Sequence, residues 1–268
     1  MTSSLKCQVI GLFLPRVGYN KLVTTKRKLT PYEQNHLRKW APKIDSDAIG
    51  DQPVEYTTGH VEFLGLDFLV TPDTLIPRLE SEQMVTDALQ FIDDHDLAHP
   101  TIADIGTGSG CLGISLAVKL AKRQIPYSIF LSDISLKALK VADLNAQRLL
   151  HSPENLFFLE SNLLENFPKI QFDLILANLP YIPSKNIAGL DPSVKDFEPK
   201  IALDGGPKGN LFINALLDKI PHFLKKGGLA ILEIDDTHDL KSFSFPKGIS
   251  ARITNDCFHK PRFLMVTL

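Results

Sequence analysis

Residues 101–117 read TIADIGTGSGCLGISLA, Thr101 to Ala117. The first part is a short, apolar, β-branched run, the pattern of a buried strand. The last part continues as an apolar helix, predicted over residues 110–123. Between them Gly106, Gly108 and Gly110 fall at every second position. Glycine accepts positive φ and lets the backbone approach a ligand closely. A helix that starts directly behind such a turn leaves its first N–H groups free for that ligand.

Outward from this unit the same alternation repeats. YSIFLSD (127–133) reads as a strand and residues 135–150 as a helix capped by Ser135. LFFLES (156–161) and FDLILAN (172–178) read as strands, 209–224 as a helix, and GLAILEID (228–235) as a strand after the Gly227-Gly228 break. ISARITND and RFLMVTL, at the end, read as two more strands joined by a short connection. Strands alternating with helices imply parallel pairing with both sheet faces covered. The predicted fold is therefore α/β and Rossmann-like, with a mostly parallel seven-stranded sheet and an antiparallel edge strand. Upstream, Glu80–Asp94 carries apolar residues at helical spacing. VEFLGLDFLV (61–70) reads as a β-hairpin about Gly65, and Thr30-Pro31 opens a helix to Trp40. Three regions follow: a basic, partly helical N-terminal region (1–55), a hairpin linker (56–78) and the α/β domain (79–268).

Bulk properties exclude several classes. The three cysteines, Cys7, Cys111 and Cys257, form no CxxC pair and no histidine stands at metal-ligand spacing, so neither a disulfide framework nor a metal site is expected. No apolar run approaches the roughly 18 residues of a membrane span. These features predict a soluble protein of a reducing compartment, the cytoplasm, with no membrane contact. Net charge is −2, but residues 1–44 hold nine Lys or Arg and one acid, which makes this arm +8 and the rest −10. Such an arm suits weak contact with RNA or the ribosome; a solvated leader or an organelle transit peptide has the same composition.

The glycine turn also contains GxGxxG from Gly108 to Gly113, a weak dinucleotide signal by itself. In the dinucleotide fingerprint the first glycine follows the strand directly. Here that glycine is Gly106, and the sixth position counted from it is Cys111. Asp104 stands two residues before the turn. A carboxylate there repels a pyrophosphate and suits the ammonium of S-adenosylmethionine; the other reading of Asp104 is a cap of the turn or helix. Asp133 ends the second strand, where a carboxylate holds ribose hydroxyls. Asn162 ends the third, where an adenine edge would lie, and reads equally well as a cap. The candidate cofactor residues are thus Asp104, Gly106, Thr107, Gly108, Gly110, Asp133 and Asn162, joined by Asn178 at the fourth strand.

That fourth strand stops on Asn178-Leu179-Pro180-Tyr181. The Asn178 side chain and the Leu179 backbone each offer a carbonyl acceptor. Pro180 fixes its own φ and restricts Leu179, and Tyr181 offers a flat face. Two rigid acceptors beside a π surface suit a planar NH2, either a carboxamide or an aromatic amine. A strand-ending turn with a packed tyrosine is the plainer alternative.

Asn178–Tyr181 resembles the (N/D/S)-P-P-(Y/F/W) motif of amino-group methyltransferases. The stretch from Asp104 to Ala117 resembles the cofactor loop of the protein-(glutamine-N5) methyltransferases, the HemK/PrmC type. VEFLGLDFLVTPDTLIPRLESE (61–82) and FEPKIALDGGPKGN (197–210) resemble two further segments of that family, and the likeness spans about residues 52–235. The resemblance implies a class I S-adenosylmethionine-dependent methyltransferase fold, a release factor as protein partner and methylation of the glutamine in its Gly-Gly-Gln motif. It implies that Asn178, Leu179, Pro180 and Tyr181 form the catalytic element, that the protein is a monomer, and that Arg78 and Glu82 line the site. Leu179 stands where the family has its first proline, Leu79 interrupts its Pro-Arg-Pro run, Asn162 replaces an aspartate, and EIDDTH replaces Glu-Ile-Gly-x-x-Gln. Three other readings compete: an adenine-N6 methyltransferase acting on RNA or DNA, since Asn-Leu-Pro-Tyr is familiar there; a non-catalytic protein of the same fold; and a dehydrogenase.

Overall fold

The computed structural model describes residues 28–45 and 49–268. Most of the basic arm (Lys6, Arg16, Lys21, Lys26 and Arg27), with Cys7 and the apolar patch at 9–14, lies outside them. Helix α1 (Pro31–Trp40) starts as expected: the Thr30 hydroxyl accepts from the Glu33 N–H, and the Thr30 N–H donates back to Glu33. It packs with the short α2 (Val54–Thr58) around Leu29, Leu37, Ile49 and Val54, a small core of its own.

Strands β1 (His60–Phe63) and β2 (Leu66–Leu69) pair antiparallel. Leu64 and Gly65 both have positive φ at the turn, which matches the twist of the flanking strands. Phe63, Phe68, Val61 and Val70 are buried in the main core, so this hairpin is built into the α/β domain instead of linking to it. Asn145 fixes it in place, accepting from the Leu69 N–H at 2.7 Å and donating to the Leu69 carbonyl at 2.9 Å.

The α/β domain holds helices α3 (Glu82–Asp94), α4 (Cys111–Lys122), α5 (Leu136–Leu149), α6 (Pro192–Lys195), α7 (Leu211–Leu217) and α8 (Ile220–Phe223). Its strands are β3 (Thr101–Ile105), β4 (Ser128–Asp133), β5 (Leu156–Glu160), β6 (Phe172–Ala177), β7 (Leu224–Glu233), β8 (Ser250–Asn255) and β9 (Pro261–Thr267). They form one seven-stranded sheet in the order β5-β4-β3-β6-β7-β9-β8. One core, with α3 and α4, covers one face; the other, with α7 and α8, covers the opposite face. This is the class I S-adenosylmethionine-dependent methyltransferase architecture.

Two details depart from the expectation. The antiparallel strand is β9, which lies between β7 and β8, so the edge strand β8 runs parallel to the rest. The apolar run from Phe263 to Val266 is buried on both faces, whereas β8 alternates polar and apolar and tolerates the edge. The helix expected over 209–224 is two helices, because Pro221 opens α8 and cannot continue α7. Strand order reverses between β3 and β6. A crevice forms there at the carboxyl ends of the strands, the usual ligand position in such sheets.

Candidate active site

The crevice is a cavity walled by the β3–α4 turn (Gly106, Thr107, Gly108), Asp133 after β4, Asn162 after β5, and Asn178, Leu179 and Pro180 after β6. Segment 73–81 and Pro199, Ile201 and Ala202 complete it from opposite sides. A stretch ahead of the α/β domain and one between β6 and β7 therefore line the same site.

All three glycines of the turn have positive φ, but for different ends. A Cβ on Gly110 would lie 2.4 Å from Ile114 Cδ1, so this glycine packs the turn and is not on the cavity wall. A Cβ on Gly106 would lie 3.0 Å from Leu179 Cδ2. Gly108 has nothing within 4 Å of that position: it lies on the wall and leaves room for a ligand against the backbone. Asp133 holds the turn from the side, its carboxylate accepting from the Gly108 N–H and the Ser135 N–H, each at 2.9 Å. Burial pushes its carboxyl up, and those N–H donors pull it back. Asn162 is exposed on the wall, and its side chain donates to the Glu165 carboxylate at 3.1 Å.

Asp104 takes the capping role, one of the two readings its position offered. It is fully buried and off the cavity wall. Its Oδ2 accepts from the Thr107 hydroxyl at 2.7 Å and the Gly113 N–H at 2.9 Å, which makes it the cap of the turn and of α4. Burial pushes its carboxyl up to about 6. Its Oδ1 has no partner, an unmatched acceptor behind the glycine turn. Arg78 and Glu82 do not line this cavity either. Arg78 pairs with Glu198 at 2.5 Å on a neighbouring cavity, and Glu82 accepts from the Leu64 N–H at 2.7 Å to hold the hairpin turn.

At β6 the chain delivers the two acceptors. Asn178 Nδ2 donates to Ser81 Oγ at 3.2 Å, which leaves Asn178 Oδ1 without a partner among the described residues. The Leu179 carbonyl accepts no hydrogen bond from the described residues. Tyr181 is not on the cavity wall; its ring packs against the second core and its hydroxyl donates to Glu233 at 2.9 Å. The backbone behind this element is clamped by Ile182 N–H to the Leu203 carbonyl, Gly205 N–H to the Ile182 carbonyl and Ser184 N–H to the Gly206 carbonyl. Ser81 and Glu233 were not singled out from the sequence. Glu233 could have been: it is an acid ending an apolar strand at the ligand edge of the sheet, as Asp104 and Asp133 nearly are.

A positive-φ glycine turn with open space at Gly108 and a carboxylate at the end of the next strand fit a nucleoside. Comparison with known proteins agrees with this geometry. The Methyltransferase small domain family matches residues 87–189. A release factor glutamine methyltransferase from Leptospira interrogans is 36% identical over 91% of this chain and 84% of its own length. The chain belongs to the release factor glutamine methyltransferase family. Relatives of the same description from Geobacter sulfurreducens and Moorella thermoacetica are 38% and 41% identical over 68% and 71% of this chain. The chain spans 61% and 64% of the length of those two proteins. Among the described residues, no helix is long and apolar enough to cross a membrane.

Proposed function

We propose that this protein transfers a methyl group from S-adenosylmethionine to the side-chain amide nitrogen of a protein glutamine, the one in the Gly-Gly-Gln motif of peptide chain release factors. The observation that carries this reading is the pair of unpartnered acceptors, Asn178 Oδ1 and the Leu179 carbonyl, at the edge of the glycine-turn cavity. The names of the relatives supply the protein class of the substrate.

When bound, S-adenosylmethionine supplies the methyl group as a sulfonium electrophile. Gly106, Thr107 and Gly108 would hold it by backbone contact, Asp133 by the ribose hydroxyls and Asn162 at the base. An amide nitrogen is a poor nucleophile because its lone pair is delocalised. Asn178 and the Leu179 carbonyl each accept one of its two protons, which orients the nitrogen and returns density to it. Pro180 and the clamp from residues 203–206 keep both acceptors still, and such orientation supplies much of the rate enhancement. Tyr181 supports this element from behind, its hydroxyl donating to Glu233. The methyl group would leave a neutral thioether behind, and the strongly acidic extra N–H proton of the methylated amide would pass to water, so no strong base is needed; among the described residues the carboxylates on the cavity wall are Asp73 and Asp133. The protein acts as a monomer in the cytoplasm, where release factors work, and the basic arm adds weak contact to RNA or the ribosome.

The test is mass spectrometry of the Gly-Gly-Gln peptide after a release factor is incubated with the protein and S-adenosylmethionine, with ribosomal RNA as a parallel acceptor. One methyl on the glutamine side chain is the expected result. Label on adenine and none on glutamine would replace this reading with the adenine-N6 one.

A further inference from the structure

We infer that Ser81 and Glu233 are positioning residues that lock the Asn178 amide with its carbonyl oxygen toward the acceptor nitrogen. This rests on the glutamine-amide reading above and adds what sets the polarity of Asn178. The two ends of a carboxamide have nearly the same shape, so packing alone does not choose between them. Proton counting does. Glu233 is 1% exposed and, when ionised, can only accept. It accepts from Ser81 Oγ at 2.5 Å and from the Tyr181 hydroxyl at 2.9 Å. Ser81 has a single hydroxyl proton, and Glu233 takes it. Toward Asn178, 3.2 Å away, Ser81 Oγ can therefore only accept, and only the NH2 end of Asn178 can face it. Ser81 is itself 1% exposed, and among the described residues its hydroxyl oxygen has no donor other than Asn178. The carbonyl end is left pointing elsewhere, with no partner among the described residues.

The three residues come from three elements: Ser81 precedes α3, Asn178 follows β6 and Glu233 ends β7. With the opposite polarity, Asn178 would present N–H to the N–H of a substrate amide, and the acceptor pair would be lost. The lock holds only while Glu233 is ionised. A protonated Glu233 donates to Ser81 through its own hydroxyl, the Ser81 proton is released toward Asn178, and both orientations become allowed. The groups facing Glu233 are Arg262 on β9, Glu80 and Ser81 ahead of α3, Tyr181 after β6 and Cys111 at the start of α4. Burial raises its carboxyl, while the Ser81 and Tyr181 hydroxyls and the Arg262 guanidinium pull it down.

The test reads Asn178 directly. In full-length 15N-labelled protein without ligand, the side-chain amide signal of Asn178 is assigned by its loss in Asn178→Ala. One of its two protons should be shifted downfield and slow to exchange. Ser81→Ala and Glu233→Gln should both abolish that signature, and Ser81→Thr, which keeps the hydroxyl, should preserve it. In methyl-transfer assays Ser81→Ala and Glu233→Gln should lower kcat about 10- to 100-fold with S-adenosylmethionine affinity within threefold, and Ser81→Thr should restore kcat. The wild-type kcat should fall with acid through the range where Glu233 titrates, a limb absent from Glu233→Gln. If Glu233→Gln does not fold, the two Ser81 variants decide. An Asn178 signal unmoved by Ser81→Ala, or kcat unchanged in it, overturns the inference. A wild type that shows the signature yet methylates no glutamine would sink the functional reading and leave the lock intact.

Discussion

Gly205→Ala separates acceptor geometry from cofactor binding. Gly205 lies in the segment clamped against the Asn178–Tyr181 element and is not on the wall of the glycine-turn cavity. A Cβ there would lie 2.6 Å from the Pro180 carbonyl oxygen, 2.8 Å from the Gly209 carbonyl oxygen and 2.8 Å from Tyr181 Cα. All three are backbone atoms, so no side chain can rotate aside. Reaching ordinary contact at 3.4 Å requires about 0.8 Å of movement from the Pro180 oxygen. Because Gly209 blocks a second direction, part of that movement falls on the Pro180–Tyr181 backbone, directly after the Leu179 carbonyl. A misplacement near 1 Å costs about 100-fold in rate, so kcat should fall about 10- to 100-fold. Overpacking of this kind costs about 1–3 kcal/mol of stability, which for a chain of this size lowers Tm by about 2–10 °C. Radiolabelled methyl transfer to a Gly-Gly-Gln peptide, beside calorimetric S-adenosylmethionine binding, makes the measurement. A folded variant with turnover within twofold of wild type would refute the claim that residues 203–206 hold the acceptor in place.

Asn178→Ala should nearly abolish transfer and leave S-adenosylmethionine affinity within a few fold by calorimetry, because its amide meets the acceptor and not the cofactor. Gly108→Ala meets no neighbour but has φ +56°, so it should cost about 1–2 kcal/mol of stability and at least tenfold in cofactor affinity; Gly65→Ala, at φ +72° with nothing nearby, should cost similar stability and no affinity. Burial pushes the folded Asp104 carboxyl up to about 6, above the ordinary Asp value of about 4, so its favourable contribution is complete below about pH 4 and is lost as pH rises through 6. Asp104→Asn keeps an acceptor for Thr107 and Gly113 and removes that loss, so it should unfold at higher Tm than wild type at pH 8, by the equivalent of about 2–3 kcal/mol, with the difference vanishing near pH 4 in thermal scans.

The sheet was legible because its signals are local. Each strand is a short apolar run ended by a turn residue, and β3 to α4 carries its ligand turn within one contiguous stretch. The β9 insertion was not legible, since neighbouring in sequence says nothing about which of two hairpin strands reaches β7. Asp133, Gly108 and Asn178 were legible for the same local reason: a polar or glycine residue closing a buried strand needs a partner. Asp104 obeyed that rule with partners inside the protein, the Gly113 N–H and the Thr107 hydroxyl. Ser81 was invisible in sequence because its role depends on Glu233, 152 residues away.

Leu179 shows how a change that reads as a weakness in sequence is absorbed by packing. Replacing a proline by leucine frees φ at that position, which alone would loosen the acceptor carbonyl. In the fold Leu179 is 5% exposed, and its Cδ2 occupies the space that a Cβ on Gly106 would need. Its side chain therefore fills the gap between the acceptor element and the cofactor turn. Pro180 restricts its backbone from one side, and the β6 ladder through Ala177 holds it from the other. Gly106 thus has two reasons to lack a side chain, a positive φ and room for Leu179. The same contact packs the Leu179 side chain directly against the glycine turn, so a shift of one displaces the other.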